Sequence, residues 1–321
     1  MRAIAATARA REQARGAVPR LGFVGVGWIG RNRMEAIERA GVGEVAAICD
    51  PALDGSLEFE ELLERDLDGI VIATPSALHA EQALAALDAG LAVFCQKPLA
   101  RTAGEAERVI AAARTSDLLL GVDLSYRYVE AFRRADELVR SGDLGEIVAV
   151  DLVFHNAYGP DKAWFRDPEL AGGGCVIDLG IHLVDLALHA LGRDSFDDVQ
   201  ARLTGEPVEH HAVALLDEVR LACSWNLHAG RDAVVETSFY GTEGGVSVVN
   251  VDGSFYDFRA ERFEGTRRET LAEPPDDWMG RAAVAWASEL GRGPGFDPGA
   301  EHLVALHRTI DRIYGRRACA S

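Results

Sequence analysis

The chain has 321 residues, of which 48% are hydrophobic and 26% charged, a composition typical of a globular protein large enough for two domains. Acidic residues outnumber basic ones by 51 to 33, which gives a net charge of -18. Such a surface repels phosphate backbones and anionic headgroups, so nucleic-acid and membrane partners are disfavoured, and no apolar run approaches the roughly 18 residues of a membrane span. Five scattered cysteines without a C-x-x-C pair argue against disulfides and zinc and favour the cytoplasm.

The first part of the chain has the pattern of a parallel sheet. Residues 1–20 carry five arginines and no apolar core, and we expect them to form a poorly ordered N-terminal extension. Over residues 21–123, short apolar runs alternate with amphipathic helical stretches, which predicts an α/β domain with a doubly wound parallel sheet of the Rossmann type. The five predicted strands are LGFVGVG from Leu21, VAAIC from Val45, GIVIAT from Gly69, LAVFC from Leu91 and LLLGV from Leu118.

Residues 124–321 have a different pattern, which predicts a second domain of α+β type with a largely antiparallel sheet. Its first predicted elements are a charged helix over 129–141, a strand over 147–155 and an apolar helix over about 175–191. Five β-like stretches follow in near succession: VQARLTG, HAVALLD, VRLACSWNLH, AVVETSFYG and GVSVVNV. Helical patterns over about 278–290 and 298–314 close the chain.

A glycine motif follows the first predicted strand and opens the first predicted helix. Its residues are Gly25-Val26-Gly27-Trp28-Ile29-Gly30. In this context G-x-G-x-x-G indicates a dinucleotide site, because glycines allow a tight turn and close approach of a pyrophosphate to the helix N-terminus. The alternative is a glycine-rich turn that binds nothing. The residues expected to contact the cofactor are Gly25, Gly27, Trp28, Ile29, Gly30, Asp50, Thr74, Pro75, His79, Gln96 and Lys97.

The choice between NAD and NADP depends on Asp50, which ends the second strand 20 residues after Gly30. A carboxylate there accepts both ribose hydroxyls and repels a 2′-phosphate, so NAD is favoured. Taken alone, Asp50 would be better explained as a turn residue before Pro51, but its pairing with the glycine motif favours the ribose contact. Thr74-Pro75 and His79 follow the third strand at the edge where ligands of such sheets lie, although helix capping explains them nearly as well.

Lysine is rare in this chain, since only Lys97 and Lys162 stand against 31 arginines. Lys97 lies in Gln96-Lys97-Pro98, at the carboxyl end of the fourth strand, where it could bond a reacting oxygen. The alternative is a solvated lysine at a strand end. The Lys97–Pro98 bond is a candidate for the cis form.

A second candidate site follows three glycines, Gly172–Gly174, on the apolar helix. Asp178 and His182 are four residues apart and therefore share a helix face, with Asp185 and His189 further along the same stripe. Ionisable groups on an apolar helix are costly to bury unless they are paired, and a site explains that cost. The alternative to a catalytic site is an ion pair that stabilises the helix, and this alternative is the favoured one for Asp185 and His189. A metal site ranks low.

The three motifs together resemble the Gfo/Idh/MocA oxidoreductases, the glucose-fructose oxidoreductase and inositol dehydrogenase family, from about Leu21 to Tyr314. The resemblance implies reversible oxidation of a sugar or cyclitol hydroxyl by a homodimer or homotetramer assembled through the open sheet. By position, Lys97 matches the active-site lysine of the family, and Asp178 and His182 match its paired acid and proton-transferring histidine. The family usually reads Glu-Lys-Pro, whereas Gln96 stands here, which removes a charge that would favour a protonated lysine.

The expected mechanism has His182 taking the hydroxyl proton, Lys97 bonding the developing alkoxide and Asp178 orienting the imidazole or a substrate hydroxyl. No metal is expected to take part. Candidate substrate contacts come from the loops, where loop packing or solvent exposure explains them equally well. They are Tyr126, Arg127, Tyr158 and Trp164.

Two further functions fit the same motifs. One is a glycosidase that uses bound NAD for transient oxidation and elimination, which would hold the cofactor tightly without net reduction. The other is a dinucleotide-dependent regulatory or binding protein on the same fold, which would have no chemical need for a proton-transfer set.

Overall fold

A computed structural model of the chain describes residues 18–293 and 295–316. The poorly ordered extension expected over residues 1–20 falls almost wholly outside these ranges. The described residues form two compact units. The first contains the residues up to Ala100 with Glu105–Asp123 and Met279–Glu301, and the second contains Arg101–Gly104, Leu124–Trp278 and the residues from His302 onward.

The first unit contains a five-stranded parallel sheet in the order β2-β1-β3-β4-β5, which confirms the predicted Rossmann architecture. Strands β3 and β4 are buried along their whole length, as a sheet covered on both faces requires. The strands are Arg20–Val24 (β1), Glu44–Cys49 (β2), Gly69–Ile72 (β3), Ala92–Cys95 (β4) and Leu120–Val122 (β5). The helices between them are Trp28–Ala40 (α1), Phe59–Leu63 (α2), Ser76–Asp88 (α3) and Ala103–Thr115 (α4).

The second unit contains an eight-stranded sheet in the order β13-β12-β11-β10-β6-β9-β8-β7. Every neighbouring pair is antiparallel except β6 and β9, so the predicted largely antiparallel sheet is confirmed. The strands are Ile147–Asn156 (β6), Val199–Thr204 (β7), His211–Leu216 (β8), Val219–Ser224 (β9), Ala233–Gly241 (β10), Gly245–Asn250 (β11), Phe258–Glu264 (β12) and Arg267–Ala272 (β13). The helices after α4 are Glu130–Ser141 (α5), Pro168–Ala171 (α6), Ile181–Leu191 (α7), Arg281–Leu290 (α8) and His302–Ile313 (α9).

The hairpin of β12 and β13 was not expected from the sequence. Its segment, FRAERFEGTRRETLA, is rich in charged residues, and most of its side chains are only partly buried. An exposed edge of a sheet tolerates such residues and has little of the apolar alternation by which strands are recognised.

Helix α8 lies with the first unit, whereas the sequence placed all of residues 124–321 in the second domain. The physical reason is Trp286, whose ring lies 5.6 Å from that of Phe94 on β4. A Cβ on Gly121 would lie 2.7 Å from the Trp286 ring, and one on Gly69 would lie 2.9 Å from it. Glycine on two strands of the sheet therefore leaves the space that this tryptophan fills.

The segment Pro168–Leu191 has the length and composition of a membrane span, with a mean hydropathy of 1.6 over its most apolar window. Of that window, 83% is buried inside the protein. Its apolar side chains therefore form part of the core of the second unit, as the buried helix of a folded domain does.

Candidate functional site

The glycine turn between β1 and α1 fits a bound pyrophosphate. Gly25 has φ +82°, and a Cβ there would lie 2.7 Å from the carbonyl oxygen of Ala73, so only glycine fits. A Cβ on Gly30 would lie 2.1 Å from the Gly25 carbonyl oxygen. Helix α1 begins after Gly27 without a side-chain cap and without an acidic residue in its first turn. Its N-terminus can therefore donate N–H groups to an anion.

A cavity of about 390 Å³ opens beside this turn. Gly27 and Trp28 line it, and Trp28 is 63% exposed there, which leaves its ring accessible. Ile29 follows, half-buried, in the first turn of α1. The lining residues are Val26, Gly27, Trp28, Arg31, Asn32 and Glu35.

Asp50 is bound to the glycine turn itself. Its Oδ2 accepts the backbone N–H of Val26 at 2.7 Å, and its Oδ1 accepts the N–H of Ala52 at 2.9 Å. Each carboxylate oxygen has a second lone pair, so the two oxygens remain able to accept hydroxyl donors. Burial raises the pKa of the neighbouring Cys49 thiol, and the negative charges of Glu58, Asp50 and Glu60 raise it further. The electrostatic field at the end of β2 is therefore negative. A phosphate placed at the end of β2 would meet this field.

His79 is almost wholly buried, 1% exposed, and braces two loops of the first unit. Its Nδ1 lies 2.7 Å from the carbonyl oxygen of Pro98, and its Nε2 lies 2.8 Å from that of Thr74. The Thr74 hydroxyl in turn donates to Gln82 Oε1 at 2.6 Å, and Pro75 caps α3. Both ring nitrogens of His79 thus lie beside backbone carbonyl oxygens, and the neutral imidazole donates its one N–H to one of them. The sequence did not indicate this structural role.

His79 makes the stability of the chain sensitive to acid. Burial is the largest cause and lowers its pKa below the ordinary 6.5, against the two carbonyl contacts, which raise it. Below pH 6.5 the unfolded chain therefore binds a proton that the native chain does not, so acid favours unfolding. We expect His79→Asn to lose about 1–3 kcal/mol of stability at neutral pH and to lose less further stability on acidification than the natural chain.

Urea unfolding at pH values above and below 6.5 measures both effects. The exposed His228, changed to Asn, serves as the matched control and should keep the natural pH dependence. A His79→Asn chain with the natural pH dependence would show that His79 does not titrate on unfolding.

Lys97 lies at the turn after β4, where its side chain is half-buried and the Lys97–Pro98 bond is cis, as expected. The preceding Gln96 is 8% exposed, and its amide nitrogen donates to the carboxylate of Asp123. The Gln96 side chain is therefore hydrogen-bonded to another residue of the first unit. The backbone is fixed on both sides of Lys97. Before it, the Gln96 N–H donates to the Ile72 carbonyl oxygen, and after it, the Pro98 carbonyl oxygen lies 2.7 Å from Nδ1 of His79.

Asp178 and His182 lie on a segment that begins with a π-helical turn over Val176–Gly180 and continues as α7. Such turns are frequent at functional sites. The indole N–H of Trp225, on the loop after β9, donates to Asp178 Oδ2 at 3.0 Å. His182 is 9% exposed, and the ring of Tyr126 contacts it edge-on with 4.8 Å between centroids. The second unit thus brings Tyr126, Asp178 and His182 into one neighbourhood.

Two of the three glycines before this segment, Gly173 and Gly174, pack against residues that the sequence did not single out. A Cβ on Gly173 would lie 2.2 Å from the Tyr314 hydroxyl, and one on Gly174 would lie 1.9 Å from the Glu209 carbonyl oxygen. The buried Glu209 carboxylate accepts the N–H groups of Gly174 and Val176, both within 3.0 Å. Tyr314 donates its hydroxyl to Glu209 Oε1 at 2.7 Å. Glu209 therefore caps the segment that carries Asp178.

The predicted stripe of four ionisable residues divides in the structure. Asp185 is 2% exposed and forms a two-point ion pair with Arg127, with Nε to Oδ2 at 2.7 Å and Nη2 to Oδ1 at 2.5 Å. His189 lies 3.5 Å from Asp136. Asp185 thus has the structural ion pair that the sequence favoured for it, and His189 lies beside a carboxylate. Arg127 is a partner in the Asp185 pair and not only a solvated side chain.

The loop after β6 carries the other two candidate substrate contacts. Tyr158 is 62% exposed and donates its hydroxyl to Asp232. Trp164 stacks on Phe165 with centroids 3.8 Å apart, and Phe165 meets the Trp225 ring edge-on at 6.5 Å. Because Trp225 also bonds Asp178, this aromatic chain connects the loop to the neighbourhood of Asp178.

The site residues predicted from the sequence divide between the two units. The residues expected to bind the cofactor, with Lys97, belong to the first unit, whereas Asp178, His182 and the candidate substrate contacts belong to the second. Among residues 18–293 and 295–316, no three His, Cys, Asp or Glu side chains are grouped to hold a metal ion.

Comparison with known proteins identifies the family. A model described as the oxidoreductase family with an NAD-binding Rossmann fold matches residues 19–124, and one described as the GFO/IDH/MocA C-terminal domain matches residues 132–247. The 1,5-anhydro-D-fructose reductase of Ensifer adhaerens is 31% identical over 56% of this chain and 59% of that protein. D-xylose 1-dehydrogenase (NADP(+)) 2 of Haloferax volcanii is 32% identical over 80% of each chain.

The fold agrees with a solved structure, that of GenD2 from gentamicin A biosynthesis in complex with NAD. It is 24% identical, with a TM-score of 0.77, over 92% of this chain and 93% of that one. The chain therefore belongs to the Gfo/Idh/MocA family of oxidoreductases, and its first unit is the NAD(P)-binding Rossmann domain of that family.

Proposed function

We propose that this protein is an NAD-dependent dehydrogenase that oxidises a hydroxyl carbon of a sugar, cyclitol or related polyol. The observation that carries the proposal is the pair Asp178 and His182, which lies on a buried and largely apolar segment. Burying ionisable groups in such a segment costs folding free energy, and a role in proton transfer explains why they are present. The names of the matched relatives, an anhydrofructose reductase and a xylose dehydrogenase, support a carbohydrate substrate.

Each residue of the set has one task in the proposed reaction. A bound nicotinamide dinucleotide supplies the hydride acceptor. His182 takes the proton of the substrate hydroxyl, Asp178 orients its imidazole or a neighbouring hydroxyl, and the Lys97 ammonium bonds the oxygen as it gains negative charge. Trp225 fixes the Asp178 carboxylate through its indole N–H. Tyr126, Tyr158, Trp164 and Arg127 are the proposed substrate contacts.

NAD is the proposed cofactor in preference to NADP. Asp50 presents a carboxylate beside the glycine turn. Burial raises the pKa of the nearby Cys49 thiol, and the acidic residues around it raise it further. Asp50 has lone pairs to accept the two ribose hydroxyls and repels a 2′-phosphate.

A spectrophotometric panel tests the function. Purified protein is mixed with NAD or NADP separately and with inositols, aldoses, uronates or sugar phosphates, and the absorbance of reduced nicotinamide is followed. We expect reduction of NAD by one polyol class. Binding of NAD without reduction by any compound would favour an NAD-dependent glycosidase or a regulatory protein, and a rate higher with NADP than with NAD would refute the role given to Asp50.

We propose that the chain forms homodimers or homotetramers through the open face of its eight-stranded sheet. On β8, Val213 and Leu215 are 41% and 43% exposed, while Ala212 before them and Leu216 after them are buried. Light scattering should give a mass of two or four times 34.6 kDa, and Leu215→Arg should give the monomer. The same change at the exposed Leu78 on α3 is the control, and a monomeric natural chain would contradict the proposal.

The cytoplasm is the proposed location, on the strength of five cysteines without a paired spacing. The net charge of -18 supports the proposal that neither nucleic acid nor membrane is a partner.

A further inference from the structure

Three polar side chains meet in the interior of the first unit. They are Arg33 on α1, Gln96 after β4 and Asp123 after β5, with exposures of 2%, 8% and 1%. Arg33 Nε lies 2.5 Å from Asp123 Oδ2, and the Gln96 amide nitrogen donates to the same oxygen. One carboxylate thus accepts from a guanidinium and from an amide.

Within these three side chains, one carboxylate stands beside one guanidinium and one neutral amide. A buried carboxylate is tolerated beside a buried guanidinium, whereas an extra unpaired charge is costly. A glutamate in place of Gln96 would set a second carboxylate against Asp123 with one arginine between them. The amide at Gln96 therefore belongs with the acid at Asp123, which accounts for the departure from the Glu-Lys-Pro pattern.

The cluster also fixes the backbone beside Lys97. The Gln96 N–H donates to the Ile72 carbonyl at 2.9 Å, and the Asp123 N–H donates to the Cys95 carbonyl at 2.8 Å. Arg33 lies on α1, the helix that begins at the glycine turn. The end of β3 is thus hydrogen-bonded directly to Gln96, the residue before Lys97. Asp123, at the end of β5, links Gln96 to Arg33 on helix α1.

We propose that Arg33, Asp123 and Gln96 are positioning residues for Lys97, and that positions 96 and 123 require one acid and one amide as a pair. In the double exchange, Gln96→Glu together with Asp123→Asn, each side chain keeps its length and the cluster keeps one carboxylate and one guanidinium. The exchange should therefore restore what either single change damages. The role of Lys97 itself rests on the proposed function.

The variants Gln96→Glu, Asp123→Asn and the double exchange test this pairing. Each single change should lower Tm by several degrees, since it leaves either two carboxylates with one arginine or a buried arginine without its carboxylate. The double exchange should recover most of that loss. The conversion Asp88→Asn, at the exposed end of α3, is an isosteric control that should leave Tm unchanged.

The scarcity of lysine supplies a readout that needs no substrate. Trace acetylation with acetic anhydride, followed by mass spectrometry, gives the labelling of Lys97 relative to the exposed Lys162. An added negative charge favours the unreactive ammonium, so Gln96→Glu should lower this ratio about 3- to 10-fold, and Asp123→Asn should raise it. The double exchange should return it to near the natural value.

Two results would overturn the proposal: a double exchange as unstable as the sum of the single variants, or a labelling ratio that no variant changes. Failure of the enzymatic panel alone would leave both readouts intact and would count against the proposed function instead. With an active enzyme, the single variants should lower kcat and leave KM for the polyol within about threefold, because their effect is on the transition-state contact of Lys97.

Discussion

Replacing His182 by asparagine is expected to lower kcat about 10³-fold, within the range that a positioned general base contributes. Asparagine keeps a polar group of similar reach but cannot take a proton at neutral pH. The affinity for NAD should change less than about threefold, since the glycine turn and Asp50, which we propose bind the dinucleotide, lie in the other compact unit.

His189→Asn is the matched control for this experiment. His189 is on the same helix, near its end, and its partner is Asp136 rather than Asp178 or Tyr126. We expect nearly natural turnover from it. A His182→Asn enzyme with the natural kcat would show that another group accepts the hydroxyl proton.

Replacing Lys97 by methionine is expected to lower kcat/KM about 10²- to 10³-fold, the loss found when one donor to a developing oxyanion is removed. Methionine keeps the length and the apolar stem of the side chain and deletes only the cation. Lys97→Arg should restore little, because a planar guanidinium does not present its charge at the position of an ammonium.

The control for Lys97 is the other lysine of the chain, Lys162, which is exposed on the loop after β6. Lys162→Met should retain at least about half of the activity, as expected for an exposed loop side chain. Equal losses at both positions would indicate a general effect of charge on an acidic protein rather than a bond to the substrate oxygen. Fluorescence titration with NAD separates a loss of binding from a loss of chemistry.

The fold was predictable where burial gave a strong periodic signal. Strands β1 to β5 are short apolar runs because the sheet is covered on both faces, and helical patterns separate them. The hairpin of β12 and β13 was missed because its exposed, charged strands lack that signal. The position of α8 depends on how Trp286 packs on Phe94, a long-range contact that periodicity does not report.

The candidate site was predictable where chemistry requires a particular residue at a particular place in a motif. The glycine turn, Asp50, Lys97, Asp178 and His182 all have such a signal. Glu209, Trp225 and Tyr314 had none, because each is a single polar residue far along the chain that reaches the site only through folding. Gly172–Gly174 gave an indirect signal, since three glycines in a row indicate that something approaches the backbone closely.

The measurement that tests the central claim most directly is the fate of the hydrogen on the oxidised carbon. The compound that reduces NAD in the panel is prepared with deuterium at its carbinol carbons, and the product cofactor is examined by NMR. The account predicts deuterium at C4 of the reduced nicotinamide, and no such transfer from the His182→Asn enzyme within the time of one natural turnover. Bound cofactor that acquires no deuterium while the sugar is consumed would contradict a dehydrogenase that transfers hydride to NAD.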